Sequence, residues 1–418
     1  MKLSLFGNKF SSGAGILTLM DDLGKALSEG GKIMMGGGNP GHVPLVQAVI
    51  RSRLRELTED PASFRKLIGI YDTPQGDAKF VEAMVGLLRH EYGWSVGPEN
   101  ICLTNGSQNS FFMLFNMLAG DCGNGVHKKI LLPLTPEYIG YADQGLTDDF
   151  FRSIRPRIEL KEDNLFKYRV DFDHLEITDD IGAICVSRPT NPTGNVLTDD
   201  EITGLAGIAS ENGVPLIIDN AYGVPFPGIV YTEATPFWNE ELIVCMSLSK
   251  FGLPAARTGI VVARQEVIRI LTGMNAIMHL APGGFGAMLA TGIIKSGEIL
   301  KLSREEIMPF YQRKMEKALE HVYASFKGFD YLVHVPEGAM FLWVWFKGLP
   351  ISSHRLYERL KKKKVLVVSG HYFFPGLEDP DWRHTQECIR ITYSQDEEDV
   401  RRGLEIIAQE VRSVYNEQ

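Results

Sequence analysis

The 418-residue chain has only five cysteines, at positions 102, 122, 185, 245 and 388, and no two of them are spaced C-x-x-C. That rules out a zinc or dithiol redox centre built on such a pair. Four of the five sit in strand-like runs (ICLT, AICVS, LIVCMS, ECIRI), where a buried, reduced thiol is the expected state. Long apolar runs are also missing. A stretch such as GAMFLWVWF, 338–346, falls far short of the roughly 20 residues a membrane helix needs. The start, MKLSLFGNKFSSGAG, lacks the extended apolar core of a secretory signal. Positive charge is not in excess: Lys and Arg total 43 against 52 Asp and Glu, a net −9 that argues against a nucleic-acid surface. The basic run KKKK, 361–364, precedes VLVV and reads as the solvated end of a helix. There is no internal repeat, low-complexity tract or Pro/Ser-rich linker. These absences lead us to expect a cytoplasmic protein that contacts neither membrane nor nucleic acid, long enough for two or three domains.

What is present is alternation. From about residue 80 to 265, the apolar runs NICLT (100–104), KILLPL (129–134), GAICVS (182–187), PLIIDN (215–220), LIVCMS (242–247) and GIVVA (259–263) alternate with amphipathic segments such as 108–121 and 199–213. Continuous apolar strands between helices predict an α/β fold with a mostly parallel sheet covered on both faces. A long helical pattern follows, with Ile307, Phe310, Tyr311, Met315, Leu319 and Val322 on one face. Shorter strands then return (DYLVHV, AMFLWVWF, VLVVSG, ECIRITYS), predicting a smaller α+β domain, against which the loop GGGNPG, 36–41, is expected to pack.

In open α/β sheets ligands bind beyond the carboxyl ends of the strands. Those ends deliver Asn105-Gly106-Ser107-Gln108, Thr135-Pro136-Glu137-Tyr138, RPTNPTG at 188–194, Asp219 with Tyr222, and SLSK at 247–250. A lone strand-end lysine is ordinarily solvated. Lys250, however, has Ser247, Ser249 and Arg257 around it, and two hydroxyls with a forked guanidinium suit a phosphate. Gly106, Ser107 and Gln108 open a helix whose backbone N–H groups favour the same anion. A lysine beside a phosphate cup, on a chain without a P-loop, suggests pyridoxal 5'-phosphate, whose aldehyde condenses with an amine. Asp219 then becomes the partner of the ring nitrogen, keeping it protonated. Asn191 and Tyr222 could donate to the ring oxygen and Tyr138 could stack on the ring; alternatively NPTG is only a turn and Tyr138 only packing. Arg390, between Ile389 and Ile391, needs a carboxylate to justify its place, and an amino-acid substrate carries one.

The segments SRPTNPTGNV, IIDNAYGVPFPG, SLSK with Arg257, and CIRITY resemble the fold-type I aminotransferases of the aspartate aminotransferase superfamily, in order and spacing over nearly the whole chain. LFGNKF, MMGGGNP, YDTPQG, LTNGSQ, PEYIGYAD, Arg188 in SRPTNPTG, and GHYFFPGL are similar to a bacterial branch that exchanges amino groups between valine and pyruvate. The resemblance implies an N-terminal segment (1–45) joining the small domain, a large cofactor-binding domain (46–300) and a small C-terminal domain (301–418). It also implies ping-pong transamination, with Lys250 as covalent anchor and proton shuttle, Asp219 on the ring nitrogen, and Asn191 and Tyr222 on the ring oxygen. Ser107, Gln108, Ser247, Ser249 and Arg257 would hold the phosphate, and Arg390 with Gly38 and Asn191 would bind the substrate carboxylate. Tyr71 would reach the partner subunit's cofactor, which implies a homodimer. The substrates would be amino acids and 2-oxo acids. The stretch 271–294 has no Arg or Lys, although relatives acting on acidic substrates carry an arginine in this region, so neutral side chains are expected; His279 is expected to be a polar wall residue. The motifs do not by themselves separate a transaminase from a carbon–sulfur lyase or decarboxylase on the same fold. A non-catalytic regulator is the other alternative, and no DNA-binding extension precedes residue 40.

Overall fold

Strands apolar on both faces need cover on both faces, and the first two-thirds of the chain is built around that requirement. In the computed structural model, which describes residues 1–11, 17, 21, 24, 31–123 and 125–417, an eight-stranded sheet runs in the order Ile101–Thr104, Gly259–Val262, Leu242–Ser247, Leu216–Asp219, Ile181–Ser187, His127–Leu132, Gly120–Asp121, with Phe151–Ser153 also paired to His127–Leu132. Gly259–Val262 and Gly120–Asp121 run antiparallel to their neighbours, and the remaining pairings are parallel. Successive side chains point to opposite faces. Ile184, Val186, Ile218, Val244 and Met246 enter one apolar core, whereas Ala183, Cys185, Ile217, Ile243 and Cys245 enter another. The helix Ser107–Leu118 covers the second face through Phe111, Leu114 and Phe115. On the first face lie Ala78–Tyr92, started by Asp77, and Asp199–Glu211, started by a Thr198/Glu201 capping box.

Register fixes what the sheet presents at its carboxyl edge. Ser187 pairs with Asp219, Asp219 with Cys245, Ser247 with Gly259, and Gly259 with Thr104. The polar residues read as strand ends therefore arrive side by side.

The long helical pattern forms Met308–Ser325, with Tyr311, Met315 and Val322 buried as expected and Phe310 and Leu319 partly so. A turn of π-helix, Ser303–Ile307, precedes it next to Pro309, which has no N–H to continue the ladder. The second sheet is ordered Val368–Ser369, Cys388–Thr392, Phe341–Trp345, Leu332–His334, Leu165–Arg169, Arg157–Leu160. Its last two strands come from within 46–300, so backbone pairing crosses the division expected at 300. Arg157–Leu160, RIEL, alternates charged with apolar residues as an exposed edge strand does, while Leu165–Arg169, LFKYR, buries Phe166, Lys167 and Tyr168 although its two charged residues mask the apolar run. Ile33–Met34 pairs in parallel with Val365–Leu366, and Met35 O accepts the Thr392 N–H at 2.8 Å. Tyr311 Oη accepts the Gly41 N–H at 2.7 Å, so the glycine loop is stitched to the C-terminal third. The rest of the expected N-terminal segment, 12–16, 18–20, 22–23 and 25–30, lies outside the described residues.

Candidate active site

Beyond the carboxyl edge of the large sheet lies a cavity of about 190 Å³. Of the residues singled out from sequence, Gly38, Ser107, Gln108, Tyr138, Asn191, Asp219, Tyr222, Ser247, Ser249, Lys250, Arg257 and Arg390 line it. Gly106 sits at its rim as the N-cap of Ser107–Leu118. Tyr71 does not enter this cavity and is 81% exposed. His279, at the end of the helix Gln265–His279, is not among the lining residues, and its Nε2 has no hydrogen-bond partner among the described residues.

Lys250 follows the strand Leu242–Ser247. Its Nζ donates to Gly38 O at 2.6 Å and lies 5.4 Å from the centre of the Tyr222 ring. Burial, then the charges of Arg390 and Arg257, bring the amine down to about 8, with Asp219 opposing them. Asp219 closes its strand, accepting from Tyr141 Oη at 2.7 Å and from the Ala221 N–H at 3.0 Å. Burial outweighs these donors and pushes its carboxyl up to about 6. Tyr222 is buried against Phe341, and burial holds its hydroxyl well above the usual tyrosine range, so it stays a neutral donor.

At one end, Ser247 Oγ donates to Ser249 Oγ at 2.9 Å and accepts the Ser249 N–H at 3.0 Å. The first-turn N–H groups of Ser107–Leu118 receive no side-chain cap. Gly106 has φ +88, and a Cβ there would lie 2.2 Å from Arg257 Nη2. Only glycine permits both that backbone and that approach. Gly106→Ala is therefore expected to weaken cofactor retention by roughly tenfold, about 1.4 kcal/mol. Bound-cofactor absorbance against free cofactor concentration measures this, and an unchanged curve would show that Arg257 can move aside freely.

At the other end, Arg390 Nη1 donates to Asn191 Oδ1 at 2.7 Å and Nη2 to Gly36 O at 2.7 Å, while Nε has no partner among the described residues. The guanidinium lies 4.3 Å from the centre of the Phe341 ring, and burial lowers its pKa to about 10. Neither Arg390 nor Arg257 forms an ion pair among the described residues. Two unpaired guanidinium groups, one with an unsatisfied buried nitrogen, call for two anions. A phosphate at Arg257 and a carboxylate at Arg390 answer them, and a protonated ring nitrogen answers Asp219. The donor set thus fits pyridoxal phosphate together with an amino acid.

Sequence reading missed a layer beneath these residues: Phe111, Tyr141, Ser187 and Glu137. Glu137 accepts the Ser187 N–H at 2.8 Å and is pushed up to about 8 by burial, with Ser187 and Tyr138 donors opposing and the charge of Asp219 adding to the rise. The signal was on view, an acid in TPEY at the end of a strand, but its depth was not. Arg188 proves to be a clamp: Nε reaches Leu197 O at 2.8 Å, Nη1 reaches Thr235 O at 3.0 Å, and Nη2 pairs with Asp199 at 2.5 Å, holding the loop that carries Asn191.

The sequence profile of the aminotransferase class I and II family matches residues 38–407. The valine–pyruvate aminotransferase of Escherichia coli (strain K12) is 48% identical over 417 residues, covering 100% of both chains. The structure of a putative amino-acid aminotransferase from Psychrobacter arcticum 273-4 superposes with a TM-score of 0.97 at 46% identity over 100% of both chains. That of valine–pyruvate aminotransferase from Salmonella typhimurium LT2 superposes with a TM-score of 0.89 at 47% identity, over 97% of this chain and 100% of that one.

Proposed function

Since the chain belongs to the class I and II aminotransferases and is a pyridoxal-phosphate-dependent transaminase, we propose that it moves the amino group between a neutral aliphatic amino acid, valine or alanine, and a 2-oxo acid, pyruvate or 3-methyl-2-oxobutanoate. One observation carries the reading: Lys250, Asp219 and an Arg390 that has no ion-pair partner among the described residues line one cavity. The full-length similarity to valine–pyruvate aminotransferases supports the choice of substrates.

When bound, the cofactor supplies a carbonyl that takes up the amino group and a protonated ring that draws electron density from the substrate Cα. Lys250 anchors it and, once freed, moves the proton at Cα; an amine at about 8 is neutral often enough near pH 7 to act as base. Asp219 holds the ring nitrogen, while Asn191 and Tyr222 hold the ring oxygen and Tyr138 the ring face. Ser107, Gln108, Ser247, Ser249, Arg257 and the Gly106 turn grip the phosphate. Arg390, with Asn191 and Gly38 beside it, takes the substrate carboxylate.

The enzyme works as a cytoplasmic homodimer in this reading. Ile68, Ile70 and Tyr71 are exposed, as are Ile277, Met278, Leu280 and Phe285. A Cβ on Gly284 would lie 2.4 Å from Asp72 Oδ2, so the two segments adjoin, and the Gly283 N–H reaches Asn105 Oδ1 at 2.9 Å, next to the phosphate end. A second copy placed there would cover this apolar surface and bring Tyr71 to the neighbouring cofactor. Four buried free thiols accord with a reducing compartment, and no helix among the described residues is long and apolar enough to cross a membrane.

Mixing enzyme, valine and pyruvate should yield alanine; ammonia or carbon dioxide as the main product would oppose the reading. Because 271–294 offers no Arg or Lys to a side-chain carboxylate, aspartate should be a donor poorer than valine by roughly tenfold or more in kcat/KM. Equal values would show that another cation serves that pocket.

A further inference from the structure

Asp219, which lines the cavity, and Glu137, which does not, are both buried carboxylates, 8% and 1% exposed. They are joined through two hydroxyls. Glu137 Oε2 lies 2.5 Å from Ser187 Oγ, Ser187 Oγ lies 3.4 Å from Tyr141 Oη, and Tyr141 Oη donates to Asp219 Oδ2 at 2.7 Å. Each hydroxyl has one hydrogen, and that count decides the state of the chain. Tyr141 spends its hydrogen on Asp219. If Glu137 is ionised, Ser187 must donate to it, and the Ser187–Tyr141 contact has no hydrogen. If Glu137 carries a proton, Glu137 donates to Ser187, Ser187 to Tyr141 and Tyr141 to Asp219. Every contact is then filled and every donor faces the same way.

We infer that Glu137 is a positioning residue for Asp219: uncharged, it starts a one-way chain of hydrogen bonds through Ser187 and Tyr141 that fixes the negative charge of the buried pair on Asp219, opposite the cofactor's ring nitrogen. Two buried carboxylates joined through two hydroxyls disfavour double ionisation, so the pair holds a single negative charge near neutral pH. Glu137 is the member held neutral, because Asp219 accepts the Tyr141 hydroxyl and the Ala221 N–H and faces the cavity, whereas Glu137 is the more deeply buried of the two and burial raises it. The titratable groups facing Glu137 are Asp219 and Cys185 on the neighbouring strands and Tyr138 and Tyr141 on its own loop. From the segment 370–373 the contact is backbone, Glu137 N–H to Phe373 O at 2.8 Å. No lysine or arginine pairs with Glu137 among the described residues.

The inference rests on the aminotransferase reading, because Asp219 needs a ring nitrogen to face. Its test follows bound-cofactor absorbance from pH 5 to 10 in holoenzyme of wild type, Glu137→Gln and Glu137→Ala. Glutamine can donate to Ser187 Oγ and accept the Ser187 N–H, but it cannot ionise. Wild type should show, beyond the cofactor's own transition, an upper step as Glu137 loses its proton. Glu137→Gln should lack that upper step while keeping the midpoint of the first. Glu137→Ala should move that midpoint by at least half a pH unit. An upper step that persists in Glu137→Gln overturns the inference, as does a wild-type titration in Glu137→Ala. Should the alanine variant fail to fold, the glutamine titration decides alone. Wild-type protein that stays colourless with cofactor supplied would instead remove the aminotransferase reading, and this inference with it.

Discussion

Replacing Lys250 with alanine is expected to slow valine–pyruvate exchange by roughly 10⁴-fold or more, because one side chain serves as both covalent anchor and proton carrier. Its surroundings favour both duties. The amine is fixed by Gly38 O at 2.6 Å, and Arg390 and Arg257 stand near enough to help burial bring it down to about 8. The sign of that shift gives a second result for wild type. A lowered lysine pKa means the neutral, nucleophilic form prevails above about 8, so the rate of cofactor capture by cofactor-free protein should rise with pH and level off there. An ordinary surface lysine would keep gaining up to about 10.4. Borohydride reduction of the holoenzyme should leave the cofactor on the peptide around Lys250. A label on another lysine would refute the assignment, and a capture rate still climbing at pH 10 would show the amine is not perturbed as described.

Much of the cavity lining was legible in the sequence because strand ends in a parallel sheet are forced to one edge. NICLT, GAICVS, PLIID and LIVCMS each end in a polar group, and once the strands pair in register, Ser187, Asp219 and Ser247 can only converge. Lys250 and Arg257 follow the same strand, so their partnership was local. Arg390 was legible for another reason: an arginine flanked by isoleucines on a strand is costly without an anion.

What stayed hidden depends on depth, and a linear pattern does not encode depth. Glu137 in TPEY has the composition of a surface turn, yet it is 1% exposed because the Phe373 segment closes over it. Tyr141 could have been another packing aromatic in PEYIGYAD; its hydroxyl matters only because Asp219 lies 2.7 Å away on a strand 78 positions later. Arg188 was visible only as part of SRPTNPTG, and its three-way clamp required Thr235 and Asp199 to come together around it. The strands Arg157–Leu160 and Leu165–Arg169 escaped notice because they extend a sheet whose other members lie beyond residue 330. Non-local pairing of that kind leaves a weak trace in the chain's own periodicity.

Arg390→Ala should lower kcat/KM for valine and pyruvate by roughly 10²- to 10³-fold, and for a simple amine without a carboxylate by about threefold at most. Truncating one member of a buried charge pair costs about 2–5 kcal/mol, which sets that scale. The discrimination follows from what the guanidinium already does. Nη1 and Nη2 are committed to Asn191 and Gly36, each at 2.7 Å, so losing them loosens the site for every substrate by a small common factor. What differs between substrates is the unpaired charge, which amino acids and 2-oxo acids meet with a carboxylate and amines do not. Arg390→Lys keeps the charge but not the fork, so it should recover part of the loss for amino acids and none of the geometry that lets two donors meet one carboxylate. Parallel steady-state measurements with valine and an amine decide the matter. Equal losses for both would reduce Arg390 to a strut between Asn191 and the glycine loop, and the carboxylate would have to be held elsewhere.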